Sequence, residues 1–425
     1  MMPTSQEPLC TKNSCTQFSG RALAPETPKH GAVHHVDVGE FVRELKSAGV
    51  SLFTGVPDSL LKSFCAYVTD NCGENHVIAA NEGGAVGLAA GHYLATGKLA
   101  LVYMQNSGQG NAVNPLCSLV DPDVYSIPMV LLVGWRGEPG VKDEPQHVKQ
   151  GKVTISLFET LGIPTEILPD DEFAALGMTR KLVERAKIES RPVALIVRKG
   201  LFAECKLQNR KPDISDLKRE DAIEAILKTL PDDAVVVSTT GMISREVYET
   251  RERLGQGHER DFLTVGSMGH AIMIALGIAK AQSERKVVCI DGDGASLMHM
   301  GNMAIAGKSS CGNLLHVVLN NAAHDSVGGQ PTVGNDIDLM EVAEAVGYEV
   351  CYPAMEHLWR ATDRDRLIDL MRQIDHFGEH GNLPRFMEIK VAKGARKDLG
   401  RPKEPPQMNK ALYMKTLQGA DNDKI

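Results

Sequence analysis

The sequence predicts two α/β domains, each a doubly wound parallel sheet. Three observations carry the prediction. Short apolar runs of strand length alternate with helical stretches over 37–198. The alternation stops in a polar segment with breakers at 199–215 and restarts over 221–391. The apolar runs end on Gly, Asn, Ser or Thr clusters, and the carboxyl ends of parallel strands are where open α/β sheets bind ligands. The chain therefore divides into an extension at 1–34, a first domain at 35–198, a linker at 199–216, a second domain at 217–394 and a tail at 395–425.

In chain order, Phe41, Val42, Leu45 and Ala48 mark one face of a helix from about Asp37. A strand at 51–54 runs into Gly55-Val56-Pro57-Asp58-Ser59, where Pro57 and Asp58 suit the start of a helix reaching about Val68. A strand at 76–80 leads to a small-residue helix at 82–95, and a strand at 99–104 ends on Asn106-Ser107-Gly108. The strand at 127–133 opens a Gly/Pro-rich loop at 134–147, too long for a mere connection. Helices follow, and 193–197 is a further strand. After the linker come a helix at 221–230, a strand at 234–238 ending on Thr239-Thr240-Gly241, and a strand at 261–265 before Gly266-Ser267-Met268-Gly269. Then come a small-residue helix at 271–281, strands at 287–290 and 314–319 with a helix at 297–306 between them, a helix near 339–345 and a last strand at 386–391. In the tail, 409–417 reads as a short amphipathic helix or a frayed end. No short-period repeat is present.

Composition limits the function classes. At 425 residues the chain exceeds the roughly 150 residues of one domain. The 43% apolar content fills two cores, and a net charge of −8 without a long basic run argues against nucleic acid as the main partner. No apolar run approaches the roughly 18 residues that span a bilayer. Nine scattered cysteines form no C-x-x-C pair, so the spacing gives no sign of zinc or thioredoxin-like chemistry. Their odd number suits a reducing compartment, and a cytoplasmic location is expected. Residues 1–34, rich in Ser, Thr and Pro, read as a mobile extension; Glu7 and Glu26 count against a transit peptide.

The most informative stretch is 287–330. Asp293, inside Gly292-Asp293-Gly294, offers a hard anionic oxygen at one strand end. Asn321 offers an amide oxygen at the end of the next strand, with the Ala323 carbonyl two residues on. Such ligands suit Mg²⁺, which keeps positions for phosphate oxygens. The flanking glycines allow close approach of a phosphate, and the N–H groups of Ala295 and Ser296 favour an anion. A lone Gly-Asp-Gly is also an ordinary turn.

Three features converge: Gly292-Asp293-Gly294 with Asn320-Asn321, the Gly266-Ser267-Met268-Gly269 turn, and Asn81-Glu82-Gly83-Gly84 opening a helix. Together they resemble the thiamine-diphosphate-dependent decarboxylase superfamily, over roughly 36–395 and without the middle domain of its larger members. GVPDSLL at 55–61, MQNSGQGNAVNPL at 104–116, GWRGEPGVKDEPQH at 134–147, HDSVGGQPT at 324–332 and KGARKDLGRP in the tail are similar to the phosphonopyruvate decarboxylase family. That family converts 3-phosphonopyruvate to phosphonoacetaldehyde and CO₂ with thiamine diphosphate and Mg²⁺, a step of phosphonate biosynthesis.

The resemblance implies a pyrimidine-binding first domain and a diphosphate-binding second domain. It implies that Glu82 hydrogen-bonds the pyrimidine ring, although alone it fits a helix-start acid. Met268 would prop the cofactor into its bent form, or be a core methionine. Asp293, Asn321 and the Ala323 carbonyl would hold the metal, with Asn320 in reserve if the register shifts by one. Thr240, Gly241, Gly266, Ser267, Gly292, Gly294, Ala295 and Ser296 would line the cofactor. A multiply anionic 2-keto acid meeting a negative chain needs local cations. Arg136, Lys142 and His147 in the long loop, His324 after the Asn pair and Arg396 in the tail are candidates, each also readable as a surface group. Asp58 and Ser59 either face the reacting centre or start a helix. The family's sites lie between subunits, so at least a homodimer is expected. The alternatives are a decarboxylase of sulfopyruvate or another small 2-keto acid, and a catalytically silent cofactor-binding subunit.

Overall fold

The computed structural model describes residues 35–351 and 381–419. The extension at 1–34, read from sequence as mobile, lies outside the described residues. The first sheet holds β1 (Val50–Gly55), β2 (His76–Ile78), β3 (Leu99–Gln105), β4 (Met129–Gly134), β5 (Thr165–Ile167) and β6 (Pro192–Val197), all parallel, in the order β2-β1-β3-β4-β6-β5. Between them run α1 (Val38–Ser47), α2 (Lys62–Asn71), α3 (Glu82–Thr96), α4 (Gln109–Ser118), α5 (Pro145–Thr160) and α6 (Glu172–Glu189).

The second sheet holds β7 (Val235–Ser238), β8 (Asp261–Leu263), β9 (Val287–Gly292) and β10 (Leu314–Asn320). A small hairpin of β11 (Ala323–His324) and β12 (Gln330–Pro331) follows, and β13 (Glu349–Val350) and β14 (Arg385–Lys390) complete the sheet in the order β13-β14-β10-β9-β7-β8. Read from the other edge this is the order of the first sheet, so the two halves repeat one topology without a short sequence repeat. The helices are α7 (Arg219–Thr229), α8 (Met242–Arg253), α9 (Ala271–Ala281), α10 (Asp293–Met298), α11 (Gly301–Gly307), α12 (Leu339–Val346) and α13 (Pro406–Gln418).

Helices on both faces bury the strands on both sides, which is why they read as continuous apolar runs. Along β10, Leu315, Val317 and Leu319 enter one core layer and Leu314 and Val318 the other, the period of two that a strand imposes.

Several elements differ from the sequence reading. The helix expected from Pro57 starts at Lys62, because Asp58 ties the intervening turn: its Oδ2 accepts from Leu60 N–H at 3.0 Å and its carbonyl from Leu61 N–H. The loop at 134–147 closes earlier, since Pro145 opens α5 and places His147 on it. The helix expected at 297–306 is two short helices that break at His299 and Met300. The segment read as a linker is packed down: Leu201, Phe202 and Leu207 are buried, and Asp70 accepts from the N–H groups of Gln208 and Asn209.

The tail forms α13, docked on the edge strand β8. Asn409 donates to the Asp261 carbonyl at 2.8 Å and accepts from Leu263 N–H at 3.2 Å, while Tyr413 packs on Phe262.

Candidate active site

Three buried carboxyl groups sit at the carboxyl ends of the two sheets, and each rests on a glycine that no larger residue could replace without a shift. Glu82 opens α3 behind its N-cap Asn81, which accepts from Gly83 N–H at 2.8 Å. Its Oε2 accepts from Asn111 Nδ2 at 2.7 Å, and its Oε1 lies where a Cβ on Gly108 would come within 2.3 Å. The side chain is buried, and that desolvation raises its pKa against the Asn111 bond.

Asp58 is fully buried in the same way, its Oδ2 2.0 Å from a Cβ built on Gly134. Desolvation raises its pKa, opposed by Gln105 Nε2 donating to Oδ1 at 2.7 Å. Beside it, Arg136 is heavily engaged. Nε and Nη2 fork onto Asp143 at 2.8 and 2.5 Å, and Nη1 donates to Ser59 at 2.8 Å. Asp143 also accepts from Gly137 and Glu144 N–H, and its carboxyl lies well below the usual range. The cation anticipated for substrate thus organises its own loop first, with three of its five donors used. His147 is buried on α5; desolvation and then the Arg136 charge push its pKa down to about 4, so it is neutral at pH 7.

In the second domain Asp293 follows β9 and opens α10. Its Oδ2 accepts from the Thr332 hydroxyl and lies 2.8 Å from a Cβ built on Gly334. Desolvation pushes its pKa up to about 6, with the Thr332 bond as the largest opposing influence. No ion pair joins it to a Lys or Arg among the described residues. A buried carboxylate without an organic cation suits a metal ion, so the donor set fits one. Asn321 gives its Nδ2 to Asp325 at 2.6 Å, and its Oδ1 accepts from Ala323 N–H at 3.0 Å. Asp325 is held by Arg219 Nη1 at 3.1 Å, and Arg219 forks onto Glu246. Asn320 is committed elsewhere: its Nδ2 donates to Gly334 O and Glu388 Oε1, each at 2.6 Å. Its Oδ1 accepts from Ala322 N–H at 2.9 Å and lies 2.7 Å from a Cβ built on Gly334, beside Asp293 Oδ2.

Around this turn, a Cβ on Gly294 would meet His324 Cε1 at 3.2 Å and Met268 Cε at 3.6 Å. Met268 is therefore not a core residue but reaches the Asp293 turn. Burial pushes His324 down to about 4. Ser267 takes φ +47° between Gly266 at +72° and Gly269 at +82°, a left-handed turn that aims the segment. Gly266 N–H donates to Thr240 Oγ1 at 3.0 Å, which joins the turns after β7 and β8; Gly241, at φ +101°, follows. The Ser296 hydroxyl is buried with no hydrogen-bond partner among the described residues, next to Ala295. Arg396 is held by Glu220, Glu249 and Asp398, far from the free cation expected, and Lys142 is exposed.

The two groups come from different domains. No hydrogen bond or ion pair joins Glu82 to the Asp293 turn among the described residues. The first-domain loop does reach the second domain, as a Cβ on Gly266 would lie 3.3 Å from Gln146 Cβ. Sequence reading missed Asn111, Asn106, Gln105, Thr332, Asp325 and Arg219. Asn106, Gln105 and Asn111 lie in a stretch already noted; Arg219 carried no local signal.

Two family profiles match the chain: "Thiamine pyrophosphate enzyme, N-terminal TPP binding domain" over 39–157 and "Thiamine pyrophosphate enzyme, C-terminal TPP binding domain" over 239–373. The phosphonopyruvate decarboxylase of Streptomyces viridochromogenes is 34% identical over 389 residues, 87% of this chain and 92% of that protein. The chain belongs to the phosphonopyruvate decarboxylase family of thiamine pyrophosphate enzymes. A second phosphonopyruvate decarboxylase, from Streptomyces hygroscopicus, is also 34% identical, over 87% of this chain and 91% of its own length. The sulfopyruvate decarboxylase of Methanosarcina acetivorans is 31% identical over 72% of this chain and 81% of that protein. The enzyme is thus a thiamine-diphosphate-dependent decarboxylase. Asp58, Glu82, Arg136 and His147 fall in the first profile, and Thr240, Met268, Asp293, Asn321 and His324 in the second.

Proposed function

We propose that the enzyme decarboxylates 3-phosphonopyruvate to phosphonoacetaldehyde and CO₂ with thiamine diphosphate and Mg²⁺, in phosphonate biosynthesis of the 2-aminoethylphosphonate type. The observation that carries the mechanism is Glu82, a buried carboxyl of raised pKa pressed onto Gly108. The bound cofactor supplies the electron sink that accepts the pair left as CO₂ departs. The residues do the rest. Asn111 occupies Glu82 Oε2, so Oε1 is the oxygen that would hold a proton against the pyrimidine ring. Asp293, Asn321 and the Ala323 carbonyl would hold the metal. Ser296, Gly292, Gly294, Thr240 and Gly241 would line the diphosphate, and Met268, which reaches the Gly294 turn, would support the cofactor. Asp58, Ser59, Arg136, His147 and His324 line the substrate side, where imidazoles kept neutral by desolvation, His147 buried and His324 half-buried, donate hydrogen bonds without adding charge.

The complete site requires Glu82 from one copy and Asp293 from another, so the working unit is at least a homodimer. Gly84, Gly87, Leu88, Gly91 and Leu94 form an exposed stripe on α3, with nothing within 4 Å of a Cβ on any of these glycines. On α9, the topological equivalent, Gly277 is likewise uncovered. Smooth helix faces of this kind pack closely against a second copy. Full activity in a gel-filtration monomer would contradict it.

A coupled assay for phosphonoacetaldehyde with and without cofactor and Mg²⁺ tests the substrate; no cofactor-dependent product refutes it. The likeness to the Methanosarcina protein makes sulfopyruvate the second reading. The ratio of kcat/KM for the two anionic keto acids decides. A cytoplasmic setting accords with free thiols at every described cysteine.

A further inference from the structure

Below the Asp293 turn, three potential ligands converge inside the sheet. Cys289 and Asp291 are two apart on β9, so they share one face, and His316 on β10 pairs in register with Cys289. One ligand atom from each, Sγ, Oδ and ring N, lies within 4.8 Å of the other two, and all three residues are fully buried. Asp291 Oδ2, both ring nitrogens of His316 and the Tyr348 hydroxyl have no hydrogen-bond partner among the described residues. Four orphaned polar atoms in one apolar layer would each carry a desolvation cost. His316 Nε2 stands 3.7 Å from Asp291 Oδ2, too far for a hydrogen bond. It is close to the edge of a tetrahedron with metal–ligand bonds of about 2.0–2.3 Å, which is about 3.3–3.7 Å.

We propose that Cys289, Asp291 and His316 form a buried structural site for a zinc-type divalent ion, separate from the oxygen-rich Asp293 site. Thiolate and imidazole select such an ion over Mg²⁺. Charge balances: as the ion binds, the thiol proton passes to solvent, and thiolate plus carboxylate offset the two positive charges. Tyr348, whose ring packs 6.1 Å from that of His316, is the group on hand for the fourth position. The ion ties β9 to β10 beneath the strand end that carries Asp293. It enters as the chain folds, since every ligand is buried. Cysteine spacing gave no hint of this, because only one Cys takes part and the strands are joined through register.

The test is metal analysis of the full chain expressed in zinc-containing medium and dialysed without chelator, with roughly one zinc per chain expected. Chain expressed in zinc-depleted, cobalt-supplemented medium should show a thiolate-to-cobalt charge-transfer band in the ultraviolet. That band is lost in Cys289→Ser, and in Cys289→Val should the serine variant not fold, and is retained in Asp293→Asn. Zinc-free protein whose thermal midpoint does not respond to added zinc during refolding overturns the proposal. So does a cobalt band that persists without Cys289.

Discussion

Replacing Gly108 by alanine tests the reaction centre without touching an ionisable group. Gly108 sits at φ −72° and ψ −12°, so an L-residue takes its backbone without strain. The added methyl would lie 2.3 Å from Glu82 Oε1, 2.5 Å from Cδ and 2.6 Å from Cγ. A non-bonded contact settles near about 3.5 Å, so the carboxyl has to retreat by about 1 Å. A displacement of that size costs on the order of 10²-fold in rate. Overpacking costs about 1–3 kcal/mol of stability. The expected outcome is a folded protein with kcat down about 10²-fold, while KM for the keto acid changes little if, as proposed, Glu82 serves the cofactor. Gly110→Ala is the control: nothing lies within 4 Å of its Cβ, and it should leave kcat unchanged. Steady-state kinetics and a denaturant midpoint read both effects. Full kcat in a folded Gly108→Ala enzyme refutes the role given to Glu82.

Glu82→Gln should lower kcat by about 10²–10⁴-fold with cofactor affinity retained, as fluorescence titration would read. Asp293 binds its proton more tightly folded than unfolded, so the metal-free protein loses stability as pH rises from 3.8 towards about 6. That shift is on the order of 3 kcal/mol, and Mg²⁺ should abolish the dependence in unfolding curves. Mg²⁺ and the proton compete for the same oxygen, so calorimetric affinity should weaken by up to about tenfold per pH unit below that pKa and be flat above it. Asp143→Ala strands Arg136 and two loop N–H groups. A stability loss of about 1–3 kcal/mol and a raised KM for the anionic substrate should follow, measurable by melting and initial rates.

The strands, the small-residue helices and the places of Asp293 and Asn321 at strand ends were legible because each depends on local rules, period and turn residues, whereas Glu82 by local rules is a helix-start acid and stood out only through the resemblance. What sequence could not show was who neutralises whom. Arg136 and Arg396 read as free cations, but both are engaged by carboxylates, Asp143 in one case and Glu220, Glu249 and Asp398 in the other. The partner of Arg396 at 220 lies far back in the chain, and only packing brings them together. The helix start at Lys62 rather than Pro57 was hidden for the same reason. Asp58 closes a turn through Leu60 N–H with one oxygen while Gln105 holds the other, and that tertiary bond fixes the turn ahead of the helix. Thr332 stands in the 324–332 motif, but its bond to Asp293 was hidden because it approaches through the hairpin of β11 and β12, whose strands are too short to leave a periodic signal.

The bonds from Asn409 to the backbone of β8 have a consequence in time. They join residues 148 positions apart. At roughly 5–20 residues per second, β8 leaves the ribosome some 7–30 s before the helix that covers it. Throughout that interval the second sheet has an open edge, the geometry by which strands pair with the wrong neighbour. A three-residue strand with Arg260 before it offers such a neighbour little length to grip. Brevity protects the edge while the nascent chain waits, and the late helix takes over afterwards.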